Sequence, residues 1–351
     1  MGEYQGIWRL PDSIKKMFTP LIEIPEIGWD FKEKKENKTI DEHLSDFALK
    51  KIYKKWGNSS CFVDLNLIDP SERMTKGTHP AKFLFRELRK AGCSAIPVTG
   101  LDRDKAYQQA VKIISTKCKS GVCLRISIEE AAKNSFQKDI DYILSELDIQ
   151  IGNSNMILDL GTPNFQPLDG FSKAIQMIVS KIPYLKKWRT FSIIGTSFPE
   201  TMASIKKGGE IVPRYEWQLY KRLIDGMNKS NLRLPTFGDY AISHPNVLRL
   251  DMRVVKPSAT IRYAIDDGWF IVKGENVRDE KYGKFKQYRG LSKTVVNSQH
   301  YYGPTFSWGD KYISECADGN GKTGHLPMWR QVGTNHHIEK VVQDIASFYD
   351  S

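Results

Sequence analysis

Eight polar residues stand at or near the ends of short apolar runs, which is where chemistry concentrates in an α/β protein. In chain order they are Glu23, Asp64, Thr99, Arg125, Asp159, Ser197, Asp239 and Arg262. An ionised carboxylate inside an apolar strand is costly unless a cation pairs with it. Acids and arginines at such positions therefore indicate either acid–base chemistry or the binding of a charged ligand.

The three acids in the first five runs allow two interpretations. Converging carboxylates of Glu23, Asp64 and Asp159 would supply the oxygen ligands of a Mg²⁺, Mn²⁺ or Ca²⁺ site, with Mg or Mn as the expected cofactor. Arg125 and Arg262 would then make bidentate contacts to a phosphate or carboxylate group. In the alternative, the two arginines neutralise the acids in an internal salt-bridge lattice.

Three further segments combine polar and aromatic residues: GDYAISHP (238–245), FSWGDKYISECADG (306–319) and GTNHH (333–337). Asp239, in the first segment, completes the set of candidate catalytic residues. The candidate ligand-binding residues are Thr99, Ser197, Tyr240, Tyr263, Trp308, Asp310, His336 and His337. Thr334 is predicted to cap the last helix, so both histidines would fall in its first turn, where histidine caps, binds an anion or is structural.

The elements that must position these residues alternate between strand and helix. Strand-length apolar runs cover residues 20–25, 61–67, 94–100, 121–127, 155–161, 190–197, 234–242 and 258–265. Repeated strand, crossover and strand units build parallel sheets. Eight units are enough to close a barrel, whose functional residues lie at the carboxyl ends of the strands. The pattern therefore predicts an α/β fold, a (β/α)8 TIM-barrel-like structure with its site at the barrel mouth.

The end of the barrel pattern carries a hairpin signal. Asp267-Gly268 separates two strand-like segments, which predicts an antiparallel β-hairpin extension. We expect a single domain over residues 1–351, with the barrel core in 1–265. Residues 266–351 would form the hairpin arm and a loop-rich, helical C-terminal part.

Composition points to polyanions without identifying one. The chain has 52 Lys and Arg against 41 Asp and Glu, a formal charge of +11, and basic proteins attract nucleic acids. In KYGKFKQYRG (281–290), Lys284, Lys286 and Arg289 alternate with aromatic residues, as in surfaces that bind single strands. A surface helix whose aromatic face packs on the barrel would look the same.

Several protein classes lack support in the sequence. No apolar run approaches 18 residues and the N-terminus lacks a signal-peptide core, so we expect a cytoplasmic protein with no membrane partner. The five cysteines are odd in number and read as reduced core residues. GNGKTG (319–324) matches a dinucleotide-binding pattern in letters, but it lacks the preceding strand and following helix that the motif requires.

The order of these motifs resembles one known family. PLIEIP, FVDL, AIPVTGLDRD, GVCLRI, LDLG, SFPE, GDYAISHP, IRY, FSWGD and VGTNHH, in this order, are similar to the phage-type "beta protein" family. The resemblance implies a TIM-barrel-like fold found in phages and bacteria near mobile or defence genes, and no particular activity. Relatives carry an additional N-terminal strand before a Lys-x-Gly-Glu motif, and this chain starts inside that motif at Gly2-Glu3. The barrel would then close with that strand, leaving residues 258–265 in the extension.

Two functional hypotheses from different classes follow. The first is a metal-dependent hydrolase or lyase that acts on a phosphate-containing substrate, with the three acids as ligands or general base and the arginines as charge stabilisers. The second is a non-catalytic sensor in a phage or antiphage defence system. Such a sensor would recognise a phage protein or nucleic acid and control a partner protein.

Overall fold

The computed structural model describes residues 2–246, 251 and 254–350, and the chain divides into two compact units. The sheet unit comprises residues 19–195 and 219–238. The C-terminal unit comprises residues 1–18, 196–218 and 239–351. The expected single domain, with a core ending at residue 265, stays a prediction.

Strands and helices alternate through the first two thirds of the chain. The strands are β1 (Leu21–Glu23), β2 (Trp29–Asp30), β3 (Lys35–Glu36), β4 (Cys61–Asp64), β5 (Ala95–Thr99), β6 (Val122–Ser127), β7 (Ser154–Asp159), β8 (Thr190–Gly195), β9 (Glu210–Pro213), β10 (Thr236–Asp239), β11 (Ser258–Ala264) and β12 (Gly268–Asn276). The helices are α1 (Gly2–Trp8), α2 (Asp12–Lys15), α3 (Ile40–Ser45), α4 (Lys54–Trp56), α5 (Pro80–Lys90), α6 (Lys105–Cys118), α7 (Ile128–Ala131), α8 (Phe136–Leu147), α9 (Leu168–Ser180), α10 (Tyr215–Lys229), α11 (Tyr288–Val296), α12 (Trp308–Asp318) and α13 (Leu326–Asp350).

The sheet unit is built on an open, seven-stranded sheet of order β1-β4-β5-β6-β7-β8-β10. From β1 to β8 each strand pairs in parallel with the next strand in this order. All four residues of β4 and all five of β5 are buried, as expected for parallel strands covered on both faces. The mixed α/β class is confirmed, whereas closure into an eight-stranded barrel is not, because the sheet is open.

The register of the parallel strands brings three predicted site residues, Glu23, Asp64 and Asp159, to one edge. Glu23 pairs with Asp64, and Ser127 pairs with Asp159. Because parallel strands all end at the same edge of a sheet, polar residues at their ends meet there. The strand pattern therefore predicted the placement of these acids correctly.

The eighth predicted barrel strand belongs elsewhere. β11 lies in a separate three-stranded antiparallel sheet of order β11-β12-β9, so its assignment to the barrel was wrong. Burial alternates along most of β11, which is the pattern of a strand with one covered face. The predicted hairpin is confirmed, since Ala264 pairs with Trp269 across the Asp267-Gly268 turn.

The crossover helices of the sheet unit follow their sequence signals. Helix α5 buries Ala81, Leu84 and Leu88 on one face. The Asp104 side chain caps α6 by accepting a hydrogen bond from the backbone N–H of Tyr107. Ser127 and Glu130 form a capping box at the start of α7, which ends before a second helix, α8, begins.

Helix α13 starts nine residues earlier than the sequence suggested, at Leu326 instead of residue 335. Thr334 lies inside this 25-residue helix, so its predicted role as N-cap was wrong. Gly333 allows close packing, since a Cβ there would lie 3.0 Å from the backbone oxygen of Arg262. Among the residues that the structure describes, no helix is long and apolar enough to span a membrane.

Candidate functional site

Three carboxylates from three strands surround the guanidinium of Arg125. Its Nη1 lies 2.6 Å from Glu23 Oε1 and 3.1 Å from Asp64 Oδ2. Its Nε and Nη2 each lie 2.7 Å from Asp159 Oδ2. The structure therefore brings together four of the six predicted catalytic residues, in what we call the carboxylate cluster. The guanidinium of Arg125 lies among the three carboxylates, at the position where the sequence suggested a metal ion.

Arg103 joins the carboxylate cluster from the loop after β5, and sequence reasoning missed it. Its Nη2 lies 3.3 Å and 3.5 Å from the two carboxylate oxygens of Asp64. Its Nη1 donates to Asp102 at 3.4 Å. The motif TGLDRD (99–104) could have indicated Arg103. It follows the end of β5, and the loops after parallel strands place their side chains at the same edge as the strand ends.

Burial separates the roles available to the three acids. The Asp64 side chain is fully buried, those of Asp159 and Arg125 are each 12% exposed, and that of Glu23 is 29% exposed. Burial raises the pKa of Asp64 above its usual range, and Arg103 and Arg125 oppose that rise. Glu23 is thus the carboxylate of the cluster that a ligand reaches most readily.

A cavity of about 100 Å³ adjoins the carboxylate cluster and shares Arg103 with it. Its walls are Leu65, Asn66, Ile68, Asp69, Pro70, His79, Pro80, Asp102, Arg103, Asp104 and Tyr107. Within the described part of the chain, the buried Nε of Arg103 has no hydrogen-bond partner. A buried donor without a partner is costly, so this atom marks a place where a ligand or water is favoured.

Thr99 lies at the end of β5 but has a structural partner. Its side chain is buried, and Oγ1 donates to Gln108 Oε1 at 3.1 Å. Gln108 in turn donates to the backbone oxygen of Gly100 at 2.8 Å. These bonds fix the start of the loop that carries Arg103, which gives Thr99 a role in positioning.

A comparison with known protein families finds a match over nearly the whole chain. A family model described as Beta protein matches residues 1–343. The chain belongs to the Beta protein family. The family resemblance seen in the sequence motifs is therefore confirmed. No curated protein and no solved structure matches the chain.

In this Beta protein family member, metal ligation at the carboxylate cluster remains a prediction. Among the described residues, no group of three or more His, Cys, Asp or Glu side chains is arranged to hold a metal ion. Arg125 supplies one positive charge among its three carboxylate neighbours. The alternative of a salt-bridge lattice matches this geometry for Arg125, whereas Arg262 belongs to the C-terminal unit.

Two other predicted site residues pair in the C-terminal unit. His337 Nε2 lies 2.8 Å from Asp239 Oδ2, and the His337 ring stacks on Trp269 with centroids 4.8 Å apart. Burial lowers the pKa of His337. Burial opposes ionisation of Asp239, yet contact with His337 brings the pKa of Asp239 below its ordinary value. Ser197 donates to Glu216 Oε2 at 2.5 Å.

His336 forms a buried network with two further predicted residues. Asp310 accepts hydrogen bonds from Tyr263 at 2.6 Å and Ser307 at 2.5 Å. The His336 nitrogens lie 2.8 Å from Asp310 Oδ2 and 2.8 Å from the backbone oxygen of Ala264. These contacts join Asp310, Tyr263 and His336 in one buried network.

The placement of both histidines differs from the sequence interpretation. His336 and His337 lie in the interior of α13 and are buried, so a site at the first turn of that helix was wrong. The cause is the earlier start of α13. Their environment is the packed interior of the C-terminal unit.

The remaining aromatic and basic candidates of the C-terminal unit have structural contacts. Arg262 donates to the backbone oxygen of Ile242 at 3.3 Å, and burial lowers its pKa to about 10. The guanidinium of Arg9 lies 4.4 Å from the ring centroid of Trp308. Tyr240 follows β10 and is partly buried.

The basic segment at residues 281–290 divides into an exposed and a buried side. Lys284, Lys286 and Arg289 are exposed. Tyr288 is fully buried and stacks on Trp329 with centroids 4.4 Å apart, while Phe285 packs against the same core. Two of the three aromatic residues therefore belong to the core of the C-terminal unit and not to a surface packed on a barrel, while Tyr282 is exposed. Contact of the three cations with nucleic acid stays a prediction.

Proposed function

We propose that the sheet unit is a hydrolase or lyase whose acid–base site is the carboxylate cluster. The observation that supports this function is the convergence of Glu23, Asp64 and Asp159 on the guanidinium of Arg125 at the carboxyl edge of a parallel sheet. This edge is where α/β proteins with parallel strands place their functional residues. Fixed charges at a partly exposed site are suited to proton transfer and to stabilising developing charge.

The exposure of each residue suggests its part in the reaction. Glu23 is the most exposed acid of the cluster and would exchange a proton with the substrate or with water. Arg125 would stabilise negative charge that develops beside Glu23. Asp64 and Asp159 are positioning residues, since the first holds both arginines and the second binds two nitrogens of Arg125.

The charge balance disfavours a phosphate-containing substrate, and the position of Arg125 among the three carboxylates favours a reaction without a metal ion. The three acids outnumber Arg103 and Arg125, so the cluster carries excess negative charge. That excess negative charge would repel a phosphate group. Arg125 could bind phosphate, but it already contacts all three carboxylates. We therefore place the predicted phosphate-containing substrate and the Mg or Mn cofactor second to a neutral polar substrate without a metal.

Substitution of Glu23 tests this function directly. The full chain is assayed against chromogenic glycosides, esters and phosphomonoesters, with and without Mg²⁺, Mn²⁺ or EDTA. For any substrate that is turned over, we expect Glu23→Gln to lower kcat by roughly 10²- to 10⁴-fold, because a positioned acid or base contributes about that factor. EDTA should leave the rate unchanged.

The matched control is Glu36→Gln, which makes the same chemical change at an exposed residue of β3. It should leave kcat unchanged. If Glu23→Gln retains kcat within a factor of about two, the proposed acid–base role is wrong. Binding of a compound without turnover would favour the other predicted class, a non-catalytic recognition module of a phage or defence system.

A further inference from the structure

The cavity beside the carboxylate cluster contains donors and acceptors in an unusual balance. The donor side is Arg103, whose buried Nε has no partner among the described residues. Asp69, Asp102 and Asp104 also line the cavity and have further acceptor capacity, although each already accepts at least one hydrogen bond within the chain. A ligand that fills this cavity must therefore accept hydrogen bonds at one side and donate them at another.

His79 adds a second donor whose tautomer is fixed by local structure. Its Nδ1 accepts a hydrogen bond from the backbone N–H of Ala81 at 3.2 Å, which caps helix α5. Burial lowers the pKa of His79, which favours the neutral ring. A neutral histidine that accepts through Nδ1 carries its proton on Nε2, so the other ring nitrogen is a donor.

Neither a metal cation nor a small anion suits both sides of the cavity. A metal cation would meet the guanidinium of Arg103 and the N–H donor of His79. An anion such as phosphate would meet three carboxylates, those of Asp69, Asp102 and Asp104. A neutral ligand with several hydroxyl groups satisfies both sides, because each hydroxyl donates one hydrogen bond and accepts others.

The size and apolar lining of the cavity agree with a sugar ring. At about 100 Å³ the cavity is smaller than most ligand sites, which limits its occupant to a single small ring. Leu65, Ile68 and Pro70 supply apolar wall beside the polar groups. This combination of an apolar wall and a few oriented polar groups is typical of small-molecule sites.

We infer that this cavity binds a pentose- or hexose-like polyhydroxylated ring. This inference rests on the proposed function, since Arg103 links the cavity to the cluster through its contact with Asp64. With the ring in the cavity, the substrate bond adjacent to the ring would lie at the carboxylate cluster. The substrate class is then a neutral glycoside or a related polyol.

Ligand-detected NMR on the full chain tests the inference with D-ribose and D-glucose as probes. We expect saturation transfer from the protein to at least one sugar. Inorganic phosphate and Mg²⁺ at equal concentration should not displace it. Transfer to neither sugar, or complete displacement by phosphate or Mg²⁺, would overturn the inference.

The variant His79→Asn removes the proposed donor and retains the helix cap, because asparagine accepts the same backbone hydrogen bond. We expect sugar affinity to fall roughly three- to tenfold, as for the loss of one hydrogen bond. Unchanged affinity in this variant, with the same melting temperature as the native chain, would place the sugar elsewhere and overturn the inference.

Glu23→Gln separates this inference from the proposed function. Sugar binding that survives in this variant while turnover is lost supports both. Sugar binding to a native chain that turns over no substrate keeps the inference and contradicts the hydrolase or lyase. Turnover that requires Glu23 on substrates without a hydroxylated ring, together with no sugar binding, keeps the function and overturns the inference.

Discussion

Arg125→Met should lower the free energy of unfolding at pH 7 by about 3–5 kcal/mol, the cost of breaking a buried ion pair by removing one partner. This change deletes the cation that contacts Glu23, Asp64 and Asp159, while the Asp64 side chain remains fully buried. Asp159→Asn should cost only about 1 kcal/mol, because Arg125 keeps two charged partners. Chemical denaturation at pH 7 measures both values.

The surface variant Arg86→Met is the matched control for Arg125→Met. Arg86 lies on α5 and pairs with Glu87 at an exposed position, so its loss should cost under about 1 kcal/mol. Equal losses for Arg125→Met and Asp159→Asn would contradict the account of one shared cation. A gain in stability for Asp159→Asn would show that repulsion among the carboxylates dominates, as expected of a cluster that needs a further cation.

Glu339→Gln should stabilise the protein increasingly as the pH rises. Burial raises the pKa of Glu339 to about 7, with the charge of Asp310 adding to the rise. A carboxyl group with a raised folded-state pKa contributes stability that is fully present below its unfolded pKa and is lost as the pH rises through its folded pKa. Glutamine has no such ionisation, so its advantage grows between about pH 4.5 and pH 8.

The expected difference between pH 5 and pH 8 is about 2–3 kcal/mol in favour of the variant, given a shift of roughly two pKa units. Urea denaturation of both proteins at a series of pH values measures it. Glu200→Gln, at an exposed residue of the same unit, should show no such trend. A constant stability difference for Glu339→Gln across the series would show that Glu339 ionises normally in the folded chain.

The parallel sheet was predictable because buried parallel strands are continuous apolar runs between helices. The same pattern could not distinguish β11 from a barrel strand, because a run of seven residues fits either sheet. Its alternating burial depends on β12 and β9, and β9 itself carries little apolar signal. Closure of a sheet depends on strand pairing that one sequence does not determine.

The sequence was sufficient to predict which acids meet in the carboxylate cluster. Strand ends of a parallel sheet share an edge, so Glu23, Asp64 and Asp159 were placed together from their positions alone. Whether a metal ion or Arg125 lies among them depends on side-chain geometry, which spacing does not reveal. Arg103 and His79 lie in or beside loops whose conformation follows from tertiary contacts, so the cavity was not predictable.

Helix α13 illustrates a different limit of sequence reasoning. Gly333 and Thr334 are typical of a helix boundary, yet here they are interior residues. Packing decides the outcome, because the absence of a side chain at Gly333 lets the helix approach the backbone of β11. His336 and His337 therefore lie in a buried environment, whereas the sequence predicted that they lie at the start of a helix.

The most direct test of the carboxyl-edge site is the NMR signal of the arginine Nε–H groups during a titration with D-ribose and D-glucose. Signals of Arg103 and Arg125 can be assigned with Lys variants, and Arg86 on the surface of α5 provides the reference. Our account predicts that both signals shift with the same dissociation constant while the Arg86 signal stays constant. Binding of a sugar that leaves Arg103 and Arg125 unchanged would contradict it.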